Sequence, residues 1–430
     1  LSFDVKVWNC YLLKLLPVRN PIFFWLILGL IVLAELYGFA AVRTAFSPSS
    51  PGGRRALTVG YWLLTVGSWA LAIWAGSTRQ TGNTALKPYL MCLPLLLLAA
   101  KVVILIPLLL EDVTRLAARL FFRGTQPSNS PDEALLSRSQ FVSRLALGLG
   151  AIPFAALLWG MLKGATDYKV RRVTLRFANL PPAFDGFKVL QISDLHTGSF
   201  TSTEPLQRAV AMINDQKADL ILMTGDLVNN IATEVEPHIP ALSQIKSDLP
   251  IFSSLGNHDY GDYVQWPSVE AKRENLARLM RNHAKIGWRL LMDESQTITR
   301  GGDKIAVIGV QNWSSHANFP KHGNLPRAHA GSGDAPFKIL LSHDPSHWEA
   351  QVLNYPDIDL TLSGHTHGMQ FGVNLPFMKW SPVQYVYKQW AGLYKQGKQH
   401  LYVNTGLGYL GYPGRVGFLP EITVFELRRA

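Results

Sequence analysis

Four long apolar runs, Pro21–Ala41, Ala56–Gly76, Pro88–Leu110 and Leu145–Met161, constrain this chain more than any other feature of its sequence. Each approaches the ~20 residues that an α-helix needs to cross ~30 Å of hydrocarbon. A helix satisfies its backbone polar groups within itself, which a bilayer interior demands. The expectation is a multi-pass α-helical membrane region over residues 1–164. The first run lacks a following small-residue cleavage site, so it is expected to stay as a span rather than leave as a signal peptide. Ahead of it, residues 1–20 carry Lys6, Lys14 and Arg19 among apolar neighbours and suggest a short interfacial helix.

The charge follows the same division. Residues 1–172 hold 18 Lys/Arg against 7 Asp/Glu, whereas residues 173–430 hold 23 of each. The net charge of +11 therefore belongs to the apolar half, as flanking charge on membrane helices. That placement argues for a lipid bilayer as partner and against nucleic acid. All 12 histidines fall in the second half, and the two cysteines, Cys10 and Cys92, fall in the first. The second half thus has neither a disulfide nor a thiolate metal site.

Three further readings concern the apolar half. Glu35 and Lys101 lie at similar distances from the starts of the first and third runs, which cross in the same direction. They are expected to pair, since a lone charge at that depth costs ~2.5–3.5 kcal/mol on insertion scales. Ser137–Val142 (SRSQFV), followed by an apolar run, resembles a degenerate twin-arginine export signal with Ser139 where the second arginine would stand. The resemblance implies that Glu111–Arg144, with Arg115, Arg119 and Arg123, faces the cytoplasm of a bacterium, and that everything after the fourth run lies outside its plasma membrane. Residues 165–176, with Lys169, Arg171 and Arg172, read as a basic juxtamembrane linker near anionic headgroups.

From residue 177 to 430 short apolar runs alternate with polar loops. Strands are expected at Lys188–Ser193, Leu220–Thr224, Ile251–Leu255, Ile305–Val310, Lys338–Ser342, Leu360–Ser363, Leu401–Asn404 and Ile422–Leu427, with helices such as Glu204–Gln216 and Val269–Lys285. That succession is the pattern of a layered α/β domain. Ligand-type residues stand just past the strand ends. They are Asp194 and His196 in SDLH, Asp226 in TGD, Asn257, His258 and Asp259 in GNHD, His343 in SHD, and His365 and His367 in GHTHG. Strand ends on one sheet edge converge, so scattered loops can build one cluster. Imidazoles, carboxylates and an amide oxygen suit Mn, Fe or Zn better than Ca or Mg. The set is too large for one four-coordinate ion and suits two divalent ions sharing a carboxylate.

The five blocks DLH, GD, GNHD, SHD and GHTHG, from Phe187 to Gly368, resemble the calcineurin-like metallophosphoesterases. The closing stretch Gly406–Glu426 is similar to that of membrane-bound or exported bacterial members. The resemblance implies an αββα sandwich with Asp194, His196 and His367 on one ion, Asn257, His343 and His365 on the other, and Asp226 on both. His258 would steady the phosphoryl group and protonate the leaving group, with Asp259 orienting it. It implies hydrolysis of phosphate mono- or diesters by a water that the two ions share and activate. The membrane half points to a phosphorylated, lipid-linked substrate, and the aromatic and lysine-bearing stretch Gln370–Lys395 suits an apolar groove or contact with headgroups. Two alternatives are a cytoplasm-facing pyrophosphatase acting on a diacylated sugar nucleotide and a non-catalytic membrane receptor with a metal-binding phosphoesterase-like domain. The oligomeric state is left open by the sequence.

Overall fold

The computed structural model describes residues 21–77, 86–121 and 137–430. The interfacial helix expected within residues 1–20 lies outside them, as does Arg123. The chain divides into two compact units, Leu1–Met161 with Gly411–Pro413, and Leu162–Leu410 with Gly414–Ala430.

The first unit contains four long helices, α1 (Pro21–Phe46), α2 (Pro51–Ser77), α3 (Lys87–Phe121) and α4 (Arg138–Leu162). All four are long and apolar enough to span a bilayer. Each outruns its apolar stretch because the polar flanks continue the helical hydrogen bonding. On α3, for instance, the last turns carry the i,i+4 pair Glu111–Arg115, 2.5 Å apart. The expected intramembrane pair forms: Lys101 Nζ lies 2.6 Å from Glu35 Oε2. Helix α2 completes it, with Thr65 Oγ1 accepting from Lys101 Nζ at 2.9 Å and Tyr61 Oη donating to the Glu35 carbonyl at 2.9 Å.

The second unit is built on two six-stranded mixed sheets. The first contains β1 (Lys169–Phe177), β2 (Phe187–Ile192), β3 (Leu220–Thr224), β4 (Ile251–Ser254), β5 (Trp288–Leu290) and β14 (Glu421–Arg429), in the order β1-β14-β2-β3-β4-β5. The second contains β6 (Glu294–Arg300), β7 (Asp303–Gly309), β8 (Lys338–Leu341), β9 (Leu360–Ser363), β12 (Gly392–Gln396) and β13 (Gln399–Val403), in the order β12-β13-β9-β8-β7-β6. A separate hairpin pairs β10 (Val373–Leu375) with β11 (Met378–Trp380).

Alternation along the strands sets the layers. On β2, Phe187 and Val189 join Leu222, Phe425, Val307, Ile339 and Leu362 in the core that packs the two sheets face to face. Leu190 and Ile192, on the opposite face of β2, pack with Leu206, Ala209 and Ile213 of α5 (Glu204–Asn214) and with Leu279 and Ile286 of α6 (Val269–Ile286). The outer face of the second sheet (Ile308, Leu340, Leu401, Val403) is covered by Leu325, Ala328, Trp348 and Val352. The result is helices, sheet, sheet, helices, an αββα sandwich. All eight expected strands are present within two residues at each end.

One stretch departs from expectation. Residues 165–176 are not a linker throughout, because Lys169–Phe177 forms β1, paired in parallel with β14 from Lys169↔Glu421 to Phe177↔Arg429. Leu175 and Phe177 point into the inter-sheet core while Arg171, Arg172 and Arg176 stay exposed. The basic side chains that read as membrane-facing are those of an edge strand, where lysine and arginine also discourage further strand pairing.

Candidate metal centre

The predicted residues come from the loops after β2, β3 and β4 of the first sheet and after β8 and β9 of the second. β2–β4 run parallel to one another, as do β8 and β9, so their carboxyl ends share an edge. Asp194, His196, Asp226, Asn257, His343 and His367 are all buried. Five of the seven predicted ligands adopt positive φ: Asp194 (50°), His196 (45°), Asp226 (58°), His365 (70°) and His367 (52°). Non-glycine residues enter that region rarely, at a cost of about 1–3 kcal/mol each, and such strain gathers at functional sites. The motif glycines allow the close approach that aims these side chains. A Cβ on Gly256 would lie 2.2 Å from Asp226 Oδ1, and one on Gly364 would lie 2.0 Å from Asp194 Oδ2.

Two clusters result. The ligand-type atoms of Asp194, His196 and His367 lie within 4.8 Å of one another, and so do those of Asp226, His343 and His365. In the first, His367 Nε2 is 3.1 Å from His196 Nε2 and 3.3 Å from Asp194 Oδ1. In the second, His343 Nε2 is 3.0 Å from Asp226 Oδ2, and Asn257 Oδ1 is 2.8 Å from His365 Nδ1. Asp226 joins them, since its Oδ2 is also 3.6 Å from His196 Nε2. Its other oxygen, Oδ1, accepts the His258 backbone N–H at 2.8 Å, which fixes the carboxylate's orientation.

Partners outside the clusters set the histidine tautomers. His343 Nδ1 donates to the Thr224 carbonyl at 2.7 Å, which turns Nε2 inward. His365 presents Nδ1, because its Nε2 is held by Tyr387 Oη at 2.8 Å, with Asp344 Oδ2 3.5 Å away. Asn257 Nδ2 donates to Tyr263 Oη at 2.7 Å, leaving Oδ1 on the cluster side. Fixing a ligand's second nitrogen is the usual way a protein orients a metal-binding imidazole.

These residues fit divalent cations. Among the described residues, the ion-pair partners of the buried Asp194 and Asp226 carboxylates are histidine nitrogens alone. Burial holds His196 at about 3 and His365 at about 4, hence neutral and able to ligate. Burial works against the His343 proton too, but the charges of Asp226 and Asp194 outweigh it and raise His343 to about 10. The two carboxylates thus favour a positive charge at the point where the ring meets them. His343 Nε2 is buried between the two carboxylates, 3.0 Å from Asp226 Oδ2 and 4.0 Å from Asp194 Oδ1, which is where a ligand atom would have to stand.

His258 stands beside the first cluster, its ring centroid 4.9 Å from that of His196. Its Nδ1 donates to the Asn229 carbonyl at 2.6 Å, so Nε2 is the atom placed to exchange a proton. The Asp259 carboxylate accepts backbone N–H groups from Asp226, Leu227 and Gly256 at 2.9 Å and from Val228 at 3.3 Å, and so ties the GD loop to the GNHD loop. The remaining histidines keep away from the clusters. His347, for example, is bound to Ser342 and Gln351.

Two contributors escaped the sequence reading. Tyr387 lies 20 residues past His367 with no motif around it. Arg415, fully buried, donates to His367 Nδ1 at 2.9 Å and to the carbonyls of Thr405, Gly408 and Phe418. A single arginine in the glycine-rich, otherwise apolar stretch GYPGRVGF was the available signal, because a charge there must be buried and bonded.

Comparison with known proteins agrees with the geometry. A calcineurin-like phosphoesterase family model matches residues 187–369, and one described as a probable calcineurin-like phosphoesterase transmembrane domain matches residues 19–165. An uncharacterized metallophosphoesterase of Bacillus subtilis, YkuE, is 32% identical over 305 residues, covering 68% of this chain and 98% of that protein. A zebrafish transmembrane protein with metallophosphoesterase domain is 29% identical over 70% of this chain, which spans 66% of its length. Phosphodiesterase YaeI of Escherichia coli is 30% identical over 56% of this chain and 82% of its own. With four membrane-length helices ahead of an αββα domain and two clusters of metal-ligand side chains at its strand ends, the chain belongs to the calcineurin-like phosphoesterase family of metal-dependent phosphoester hydrolases.

Proposed function

We propose that this protein hydrolyses phosphate mono- or diesters, preferably lipid-linked ones, at the surface of the bilayer its helices span. The observation that carries the reading is the position of Asp226 Oδ2 between two ligand clusters, with the His258 imidazole alongside. Two divalent ions held there would polarise phosphate oxygens and lower the pKa of a coordinated water; Mn, Fe and Zn all suit the donor set. The chain's part is to fix them through Asp194, His196 and His367 on one side and Asn257, His343 and His365 on the other, with Asp226 shared. His258, anchored through Nδ1, supplies the proton for the departing alkoxide through Nε2. The name of the E. coli relative, a phosphodiesterase, supports a diester over a monoester.

Two experiments test this. Full-length protein supplied with Mn²⁺ is expected to turn over an aryl phosphodiester and to lose that activity as Asp226→Asn. Absence of turnover, with His258→Ala indistinguishable from the parent, would favour the receptor reading. Lipid extracts from cells carrying Asp226→Asn are expected to accumulate one phosphorylated lipid relative to the parent, and unchanged extracts would remove the lipid-linked class. We place the domain outside a bacterial plasma membrane, supported by the SRSQFV segment, whose Arg138–Val142 begins α4. A reporter fused at Ala430 that is active in the cytoplasm would reverse that placement and favour a sugar-nucleotide pyrophosphatase.

A further inference from the structure

We infer that Phe371–Lys398, the segment that follows the His365–His367 loop, is a docking element for a lipid surface, lying against the bilayer interface beside the metal-ligand clusters. Its composition is set apart from the charge-balanced domain around it. These residues include Lys379, Lys388, Lys395 and Lys398, no aspartate or glutamate, and seven aromatic side chains.

The structure sorts those side chains into two sets. One set faces inward: Val383, Tyr387, Trp390 and Ala391 pack with Phe418 in a small core of their own. The other stands on the surface. The β10–β11 hairpin belongs to neither six-stranded sheet, and its closing pair Leu375↔Met378 flanks a turn on which Phe377 is 84% exposed. Tyr385 (76% exposed) and Val386 extend the same patch, since Trp380 Nε1 donates to Tyr385 Oη at 3.3 Å. Apolar side chains gathered this way on a soluble surface mark a contact site.

The chemistry of the patch names the occupant. An apolar tip, tryptophan and tyrosine beside it, and lysines behind it, of which only Lys388 meets an acid among the described residues (Glu349 at 2.9 Å), are what an anionic lipid interface selects. Lys379 lies over the Trp390 ring at 4.7 Å, while Lys395 and Lys398 stand exposed at the β12–β13 turn. Only residues 163–168 join α4 to β1, so the domain is tethered to the bilayer its helices span by a short connection. The element also leads to the clusters. Val386, Tyr387 and Lys388 line a cavity of about 320 Å³ together with Ser346 and Glu349, and the Tyr387 hydroxyl touches His365 Nε2. Docking would therefore deliver interface-borne phosphate esters to the site. That consequence, unlike the docking itself, rests on the phosphoesterase reading.

The test uses the full chain in nanodiscs of phosphatidylethanolamine and phosphatidylglycerol, with Cys10→Ala and Cys92→Ala as background. Phe377→Cys carries an environment-sensitive fluorophore, and Asp334→Cys, on an exposed turn elsewhere, carries the same label as reference. The Phe377→Cys label is expected to shift to the blue, to lose most of its emission to lipid-borne doxyl quenchers and to resist aqueous iodide, with the reverse at Asp334→Cys. Iodide quenching at both positions would overturn the inference. So would a Phe377→Cys label shielded from iodide and lipid alike, which would indicate a protein covering the patch. Turnover of a soluble aryl phosphodiester by the same samples reads the other assignment separately. A lipid-quenched label without turnover would uphold docking and refute hydrolysis, and turnover with an iodide-quenched label would do the opposite.

Discussion

Asp226 and Asp259 are both buried aspartates at the ends of neighbouring strands, and they do different things. Asp226 spends one oxygen on a backbone N–H and turns the other to both ligand clusters, whereas Asp259 spends both on four N–H groups. Asp226→Asn is therefore expected to lower bound metal and abolish turnover with the fold intact, as metal-to-protein ratio and thermal unfolding would record. Asp259→Ala strands four buried donors, each costing about 1–3 kcal/mol. It should lower the unfolding midpoint by many degrees, while the molecules that remain folded keep their metal. Equal metal loss in the two variants would contradict this division. The motifs made both residues legible as candidates, because a residue type at a strand end is a property of sequence. The shared position of Asp226 came only through the family resemblance, and the use of the Asp259 carboxylate was not legible at all, since a carboxylate's direction depends on backbone angles such as the positive φ of Asp226. Tyr387 and Arg415 were missed for a related reason. They act on His365 and His367 from distant loops, and nothing in their own neighbourhoods requires it.

Among the elements, the membrane helices were read well where a physical cost left one answer. Glu35 and Lys101 had to meet because neither charge is tolerable alone in hydrocarbon. Their side chains are nearly inaccessible, and Thr65 and Tyr61 of α2 hold the pair from a third side. Lys101→Met is expected to leave the Glu35 carboxylate buried without its cation and to destabilise the helical unit by about 3–5 kcal/mol. Adding Glu35→Gln should recover much of that loss. The measurement is the unfolding midpoint of purified protein in detergent for both singles and the double. A double variant as unstable as the sum of the singles would show that the two residues do not act as a pair. Strand β1 was misread for want of such a constraint. KVRRVTLRF alternates as an edge strand should, but its arginines fit a juxtamembrane flank equally well, and its partner β14 is some 250 residues away.

At the scale of the molecule, the segregation of histidine predicts where acid will act. The helices of the first unit contain no histidine, and the second unit contains all 12. His283 and His347 are fully buried outside the ligand clusters, where their Nδ1 atoms meet Ser253 at 2.9 Å and Ser342 at 2.8 Å. Burial pushes each down to about 4 from an ordinary value near 6.5. Each is thus neutral when folded and takes up a proton on unfolding across that window. A group whose folded pKa is depressed contributes stability that is complete above about 6.5 and is lost as pH falls toward 4. The slope is at most about 1.4 kcal/mol per pH unit for each residue. Acidification should therefore lower the unfolding midpoint of the phosphoesterase unit well before the carboxylates at large begin to titrate. Asparagine can place a polar atom where the imidazole Nδ1 stands, so His283→Asn with His347→Asn preserves the serine contacts and removes the titration. The double variant is expected to be somewhat less stable at neutral pH and to show a shallower decline between pH 6.5 and 4.5. Parallel curves for parent and variant would place the acid sensitivity elsewhere, with His196 and His365 of the candidate metal centre next in line because burial holds them low as well.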